Sequence, residues 1–263
     1  MVVLVLIFLF ITAKKNPANE GDVFIDKKIS QSSVNIIDNS NKDQISKKPE
    51  FNIESQSALA RLIGEKSIFY QLNVNQRWPI ASLTKLMTAV VALEKVGSIK
   101  EVKDLVRIMM IISDNKAADQ LAEKLGREKF VAEMNAKAKA LDMNQTSFFD
   151  ASGLSYLNQS TVTDLYKLIA YIVQKQPQIF QWSREKEIKI NGTRYNNINK
   201  FIGRPDFLGG KTGYTDEANG NLISIFAVSG KPLAIIVLGA ADQVERFEQT
   251  KNLLEWIIQF YKP

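Results

Sequence analysis

Residues 79–95 read Pro-Ile-Ala-Ser-Leu-Thr-Lys-Leu-Met-Thr-Ala-Val-Val-Ala-Leu-Glu-Lys. From Ala81 onward, the small and apolar residues predict a helix that begins beside Ser82. Lys85 follows three positions later, so both side chains lie on one face of that helix. A serine next to a base is the pairing that an activated nucleophile needs. The alternative is that Ser82 is a plain N-cap.

Two further motifs favour the catalytic interpretation. They are Ser-Asp-Asn at 113–115 and Lys-Thr-Gly at 211–213. The Ser-x-x-Lys spacing by itself is weak evidence, because it occurs at Ser82/Lys85, Ser113/Lys116 and Ser183/Lys186. Only the first of these pairs starts a predicted helix and precedes both other motifs. We therefore take 82–85 as the first motif, 113–115 as the second and 211–213 as the third.

The residues that the chain lacks exclude several kinds of site. Its 263 residues contain no histidine and no cysteine, which excludes a histidine-based triad, disulfides and thiolate–metal sites. We expect no metal and no cofactor. The formal charge of +6 comes from basic residues scattered among acidic ones. This pattern predicts a solvated surface and no nucleic-acid partner, with adhesion to an anionic envelope as a lesser alternative.

The N-terminal residues predict an export or anchoring segment. Residues 1–13 are almost wholly apolar, but a helix of that length spans only about 20 Å of a hydrocarbon core of about 30 Å. This favours a signal peptide, with an N-terminal membrane anchor as the alternative. Because Lys14–Lys15 alone would favour the opposite orientation, we expect further basic residues upstream. The expected location is the extracytoplasmic cell envelope.

The rest of the chain predicts one folded domain behind a linker. Residues 14–50 are rich in Asn, Ser, Lys and Asp and predict a flexible polar linker. In 51–263, strand candidates lie at 57–63, 67–73, 187–191, 194–199, 207–215, 221–229 and 232–240. Helical spacing continues after a Ser98/Glu101 capping box and at 115–125, 130–141, 165–172 and 243–260. This order predicts an α+β sandwich, an antiparallel sheet flanked by helices, with an inserted all-α subdomain at about 98–180.

The second motif has to return to Ser82 for the chemistry to work. The helix that begins at Ser82 and the one that ends at Ser113 are similar in length. Each carries the chain about 20 Å, so an antiparallel pair would bring 113–115 back beside the nucleophile. The alternative is a surface turn that caps the helix starting at Asn115. The hydroxyl-rich loop at 147–153 is interpreted as a solvated turn, with a cleft border as the alternative.

The three motifs and their flanking sequences carry a resemblance to a known family. The flanks are residues 79–88, Asp-Ala-Ser-Gly-Leu at 150–154 and Gly-Gly-Lys-Thr-Gly-Tyr-Thr at 209–215. From about Ser57 to the C-terminus, the chain resembles the serine D-Ala-D-Ala carboxypeptidases, the low-molecular-mass penicillin-binding proteins. The resemblance implies a β-lactamase/transpeptidase-like fold. One departure is the stretch between Lys85 and Ser113, which is markedly shorter than is usual in that family.

Without histidine, Lys85 is the nearest base for Ser82. It can act only if burial and a neighbouring cation, for which Lys211 is the candidate, lower its pKa enough to populate the neutral amine. The resemblance implies that Ser113 then relays the proton to the departing amine. Ser82, Lys85 and Ser113 are thus the expected catalytic residues.

The resemblance also implies a set of substrate-binding residues. Asn115 would hold the region of the base and the amide of the acyl side chain. Lys211 and Thr212 would bind the substrate's terminal carboxylate, and Gly213 would let the backbone approach closely. The backbone N–H of Tyr214, with that of the nucleophile, would form an oxyanion hole.

The implied reaction is removal of the terminal D-Ala from peptidoglycan stem peptides through an acyl-enzyme on Ser82. β-Lactams are expected to inhibit by acylating the same serine, and the expected role is in cell wall biogenesis and cell shape. Three alternatives stay open. They are a D,D-endopeptidase that cuts cross-links, a β-lactamase, for which the Glu-x-x-Leu-Asn motif is missing, and a non-catalytic penicillin-binding or wall-binding protein.

Overall fold

The structure, a computed structural model, describes residues 50–190 and 192–261. The predicted signal segment 1–13 and the predicted linker up to residue 49 lie outside the described residues. Within the described ranges, no helix combines the length and the apolar character that a bilayer span requires.

The strands form one main sheet and two short pairs. The described strands are β1 (Ser57–Leu62), β2 (Ile68–Leu72), β3 (Trp78–Pro79), β4 (Gln159–Ser160), β5 (Glu187–Ile190), β6 (Thr193–Asn196), β7 (Phe207–Thr215), β8 (Asn219–Val228) and β9 (Lys231–Ala240). The main sheet has the order β2-β1-β9-β8-β7, and all its pairings are antiparallel. Because β1 pairs with β9 from Ser57↔Leu238 to Leu62↔Leu233, the sheet joins distant parts of the chain. The third motif lies on β7, at one edge.

Helices cover both faces of the sheet. They are α1 (Lys85–Val91), α2 (Lys100–Ile112), α3 (Asn115–Glu123), α4 (Arg127–Ala140), α5 (Val162–Lys175), α6 (Gln178–Ser183) and α7 (Glu245–Phe260). Successive residues of β9 point to opposite sides, so Ile236 belongs to the core beneath the helices between β2 and β7, and Ile235 to the core beneath α7. Burial on both sides explains the nearly continuous apolar runs in β8 and β9. The predicted α+β sandwich with an antiparallel sheet is confirmed.

The sequence patterns did not predict two short elements, the helix α6 that follows Pro177 and the pairing of Trp78–Pro79 with β4. One local expectation was wrong. Ser98 does not cap α2, since Ile99 occupies the N-cap with extended φ and ψ.

Candidate active site

Ser82 lies in a tight turn that precedes α1. The segment Ala81–Thr84 is a 3-10 turn and α1 begins at Lys85, so the predicted helix starts more tightly than an α-helix. Ala81 has a φ of 47°, which is uncommon for a residue with a Cβ. A Cβ on Gly153 would overlap the Ala81 carbonyl, so only glycine allows the chain to pass there. The turn that carries Ser82 is thereby held in place by the close passage of Gly153.

Lys85 points its amine at Ser82. Its Nζ donates to Ser82 Oγ at 2.8 Å, to Asn115 Oδ1 at 2.7 Å and to the main-chain oxygen of Ser152. The last two partners only accept, so they take both N–H groups of a neutral amine and leave its lone pair directed at the Ser82 hydroxyl. The ammonium form finds three acceptors at the same place. The site therefore suits Lys85 in both protonation states.

Burial makes the neutral form of Lys85 accessible. The side chain is 0% exposed, and burial lowers the pKa of Lys85 from 10.5 to about 8. The carboxylates of Asp150, Asp114 and Asp119 oppose this effect. Desolvation, and not a neighbouring cation, is thus the main cause of the lowered pKa, in contrast to the emphasis on Lys211 in the sequence interpretation.

The second motif returns to the first across a short helical connection. Ser113 ends α2 with a φ of 61°, a left-handed residue of the kind that stops helices. Asp114 then caps α3 by accepting from the Ala117 N–H at 2.6 Å. These two adjacent signals turn the chain sharply. They bring Asn115 to Lys85 while Ser113 faces the third motif.

Lys211 is the buried cation of the third motif. Its Nζ donates to Ser113 Oγ at 2.7 Å and to Thr212 O at 2.8 Å. Burial lowers the pKa of Lys211 well below 10.5, and the positive charges of Lys85 and Arg246 add to this. The site therefore contains two serine–lysine pairs, Ser82 with Lys85 and Ser113 with Lys211.

Gly213 lets β7 pass directly against the turn that carries Ser82. A Cβ at this position would lie 2.8 Å from Ile80 O and 3.2 Å from Ser82 N. Thr212 is buried, whereas Tyr214 is 37% exposed at the end of the strand. The backbone of β7 and the Ser82 N–H thus border the same space.

The structure also separates the first Ser-x-x-Lys pair from the other two. Ser113 contacts Lys211 in place of Lys116. Ser183 donates to Phe180 O and accepts from the Gly210 N–H, at 2.8 and 2.9 Å. Ser183 therefore joins α6 to β7, a packing role.

The loop at 147–153, which was interpreted as a solvated turn, lies against the first motif. Ala151 and Ser152 are buried, and Thr88 Oγ1 donates to Ala151 O at 2.6 Å. The interpretation of 147–153 as a solvated turn was therefore wrong, and it is main-chain oxygens of this loop, not its hydroxyls, that contact the first motif. The only sequence signal was the Asp-Ala-Ser-Gly-Leu segment within the resemblance, because these contacts are made by main-chain oxygens.

Arg246 is a second residue that the sequence patterns did not indicate. It lies on the buried face of α7, where its Nη1 donates to Gly213 O at 2.7 Å. Burial lowers the pKa of Arg246 to about 10, and Asp242 opposes this. The guanidinium thus supports the main chain of the third motif.

Comparison with known proteins extends these observations. A sequence profile of the D-alanyl-D-alanine carboxypeptidase family matches residues 94–242, a span that contains the second and third motifs. A D-alanyl-D-alanine endopeptidase of Pseudomonas aeruginosa is 30% identical over 241 residues, covering 78% of this chain and 77% of that protein. The D-alanyl-D-alanine carboxypeptidase DacD of Salmonella typhimurium is 33% identical, over 62% of this chain and 43% of that protein.

Solved structures of penicillin-binding proteins are also similar to this chain. A penicillin-binding protein of Listeria monocytogenes in its cefotaxime-bound form is 29% identical, with a TM-score of 0.73 over 80% of this chain and 99% of that chain. Penicillin binding protein 6B of Escherichia coli is 26% identical, with a TM-score of 0.71 over 81% of this chain and 79% of that chain. The profile match and these relatives show that this chain belongs to the D-alanyl-D-alanine carboxypeptidase family and is a serine peptidase.

Proposed function

We propose that the protein cleaves D-Ala-D-Ala peptide bonds of peptidoglycan through an acyl-enzyme on Ser82. The observation that carries this proposal is the hydrogen-bond set of Lys85. Asn115 and the Ser152 carbonyl hold its two N–H groups, so that its lone pair faces the Ser82 hydroxyl. A buried amine with a pKa of about 8 is a base suited to neutral or slightly alkaline conditions.

Each step of the acylation can be assigned to a residue. Ser82 Oγ attacks the carbonyl carbon of the penultimate D-Ala while its proton passes to Lys85 Nζ. The bond between that carbon and the leaving nitrogen breaks, and Ser113 Oγ gives its proton to the leaving amine. Ser113 regains a proton from Lys211, with which it shares a hydrogen bond of 2.7 Å. Lys211 is reprotonated as Lys85 releases the proton taken from Ser82, so both lysines return to their starting states. Lys85 Nζ then takes a proton from water as the water oxygen attacks the ester carbonyl, and it returns that proton to Ser82 Oγ as the ester bond breaks.

Substrate binding is assigned to the edge of the sheet. Lys211 and Thr212 bind the substrate's terminal carboxylate, and Asn115 binds the amide of the acyl part. The N–H groups of Ser82 and Tyr214 stabilise the oxyanion, a contribution of about 3 to 4 kcal/mol for one donor in comparable enzymes. The close approach of Gly213 to Ser82 N supports this assignment.

Carboxypeptidase activity is the first candidate for the bond that is cut. In that case the leaving group is the free terminal D-Ala, whose carboxylate suits the buried cation Lys211. Endopeptidase activity is the second candidate. It is favoured by the Pseudomonas aeruginosa relative named an endopeptidase, since the match covers more than three quarters of both chains, whereas the carboxypeptidase DacD is matched over 43% of its length.

We also propose β-lactams as inhibitors that acylate Ser82. The cefotaxime-bound form of the Listeria monocytogenes relative supports this. An extracytoplasmic location in the cell envelope, with N-terminal membrane attachment as an option, is part of the same proposal because peptidoglycan lies there.

Labelling with fluorescent penicillin tests the nucleophile. We expect stoichiometric labelling of the wild type and none of Ser82→Ala. Ser98→Ala, which changes an exposed serine, is the matched control and is expected to label fully. Circular dichroism verifies folding of each variant, and a folded but unlabelled wild type would indicate a non-catalytic protein.

Digestion of purified muropeptides tests the bond that is cut. Release of D-Ala from pentapeptides supports the carboxypeptidase, and monomers formed from cross-linked dimers support the endopeptidase. Rapid turnover of penicillin without either product would indicate a β-lactamase. Ser82→Ala is the control in every assay.

A further inference from the structure

One carboxylate folds the turn that touches Lys85. Asp150 Oδ1 accepts from the N–H groups of Ser152 and Gly153, at 2.7 and 2.5 Å, and from Ser152 Oγ at 3.0 Å. Its Oδ2 accepts from the Ser155 N–H at 2.6 Å. Because a carboxylate can accept several hydrogen bonds at once, one side chain fixes residues 150–155.

The turn presents its main chain to the first motif. The Ser152 oxygen accepts from Lys85 Nζ, and Gly153 packs on Ala81, next to the nucleophile. From below, Asn158 Nδ2 donates to Asp150 O and to Thr84 Oγ1, both at 3.1 Å. The carboxylate, the turn and the base thus form one hydrogen-bonded unit.

The charge of Asp150 also acts on Lys85. Three carboxylates face the buried amine and raise its pKa against the effect of burial. The largest of these contributions comes from Asp150, and the others come from Asp114 and Asp119 at the second motif and α3. The other buried lysine of the site, Lys211 on β7, donates to Ser113 Oγ.

We propose that Asp150 is a positioning residue for Lys85: its carboxylate folds the turn whose main-chain oxygen holds the amine, and its charge acts on that amine. The proposal rests on the proposed role of Lys85 as the base for Ser82. It adds a residue outside the three motifs that contacts neither the substrate nor the nucleophile.

The test is the pH profile of acylation by fluorescent penicillin, measured in the full chain from pH 5.5 to 10. In the wild type, the rate should fall below about pH 8, where Lys85 becomes protonated. Asp150→Asn retains an oxygen for the four donors at Oδ1 but loses the acceptor at Oδ2 and the charge. We expect its acidic limb to move to lower pH, so that the rate at pH 6 relative to the plateau rises about threefold or more, equivalent to about half a pH unit.

Two further variants separate charge from folding. Asp150→Ala removes every acceptor, and we expect the plateau rate to fall at least about tenfold because the turn no longer holds the amine. Asp150→Glu keeps the charge but displaces it. The plateau rate of acylation should therefore fall, while the acidic limb of the pH profile stays at the same pH. Asp142→Asn, which changes an exposed carboxylate in a turn, is the matched control and should leave both unchanged.

The outcomes distinguish the positioning role of Asp150 from the proposed function on which it rests. A wild type that is not labelled would contradict the proposed function. A labelled wild type whose profile coincides in shape with that of Asp150→Asn would overturn the inference, and so would an Asp142→Asn variant that shifts equally. If Asp150→Ala does not fold, the acidic limb of the pH profile of Asp150→Asn still tests the inference.

Discussion

Lys85 is maintained at the site against a cost in folding free energy. In the unfolded chain this lysine keeps its proton up to about pH 10.5, whereas the folded protein releases it near pH 8. Between these values the unfolded state binds more protons, so stability rises with pH. Below pH 8 both states are protonated and the full cost of burying the charge remains.

The prediction concerns Lys85→Met, which removes the charge. From pH 7 to pH 10, the free energy of unfolding of the wild type should rise relative to that of Lys85→Met by about 2 to 3 kcal/mol. Urea denaturation at several pH values measures this difference. Lys116→Met, at an exposed position, is the control, and its difference from the wild type should stay constant. A flat difference for Lys85→Met would contradict the lowered pKa.

Gly213 is the residue at which β7 and the turn with Ser82 come closest. Gly213→Ala would place a Cβ 2.8 Å from Ile80 O and 3.2 Å from Ser82 N, so β7 and the turn that carries Ser82 must separate. We expect a stability loss of about 1 to 3 kcal/mol and a 10- to 100-fold slower acylation, roughly, because small displacements of reacting groups are costly.

The control for Gly213→Ala is Gly64→Ala. Gly64 has a φ of 85° and open space around it, so alanine there should cost about 1 kcal/mol of stability. Its acylation rate should equal that of the wild type. Equal acylation by both variants would show that the close approach of β7 is irrelevant to the site.

Among the elements, the corner between α2 and α3 decides where the second motif lies. Asp114 caps α3 and its charge acts on Lys85, so one residue has a structural and an electrostatic effect. Asp114→Ala should lower stability by about 1 kcal/mol, whereas Asp114→Asn should keep the cap and most of the stability.

The acylation rate should also differ between Asp114→Ala and Asp114→Asn. Because the corner also sets the orientation of Ser113, the plateau rate should fall further in Asp114→Ala than in Asp114→Asn. Both variants remove the charge, so both should move the acidic limb to lower pH. Urea denaturation and the pH profile measure the two effects, and equal stability of the variants would rule out the capping role.

Particular elements show which features of the fold and the site could be predicted from the sequence. The end of α2 at Ser113 was predictable because amphipathic spacing stops there, and the β8–β9 hairpin because two apolar runs flank Gly230. The role of the 150–155 turn was not, since its contact with Lys85 is made by a main-chain oxygen. The contact of Arg246 with Gly213 was not predictable either, because the sequence of a buried helix face does not indicate which strand packs against it.

At the scale of the whole molecule, the described residues contain the three motifs and both cores. A fragment of residues 50–263 should therefore fold and be labelled by fluorescent penicillin as fast as the full chain, within about twofold. Thermal unfolding and labelling kinetics measure this. A fragment that folds but labels slowly would show that residues 1–49 contribute to the site.

The pairing of β1 with β9 also determines when activity can first appear. These strands belong to opposite ends of the described chain, and contacts so distant in sequence form late and slowly. A growing polypeptide already contains Ser82 and Lys85, but β7 to β9 have not yet been made. Only after residue 240 has left the ribosome can the sheet close. Chemical competence thus cannot precede the synthesis of β9.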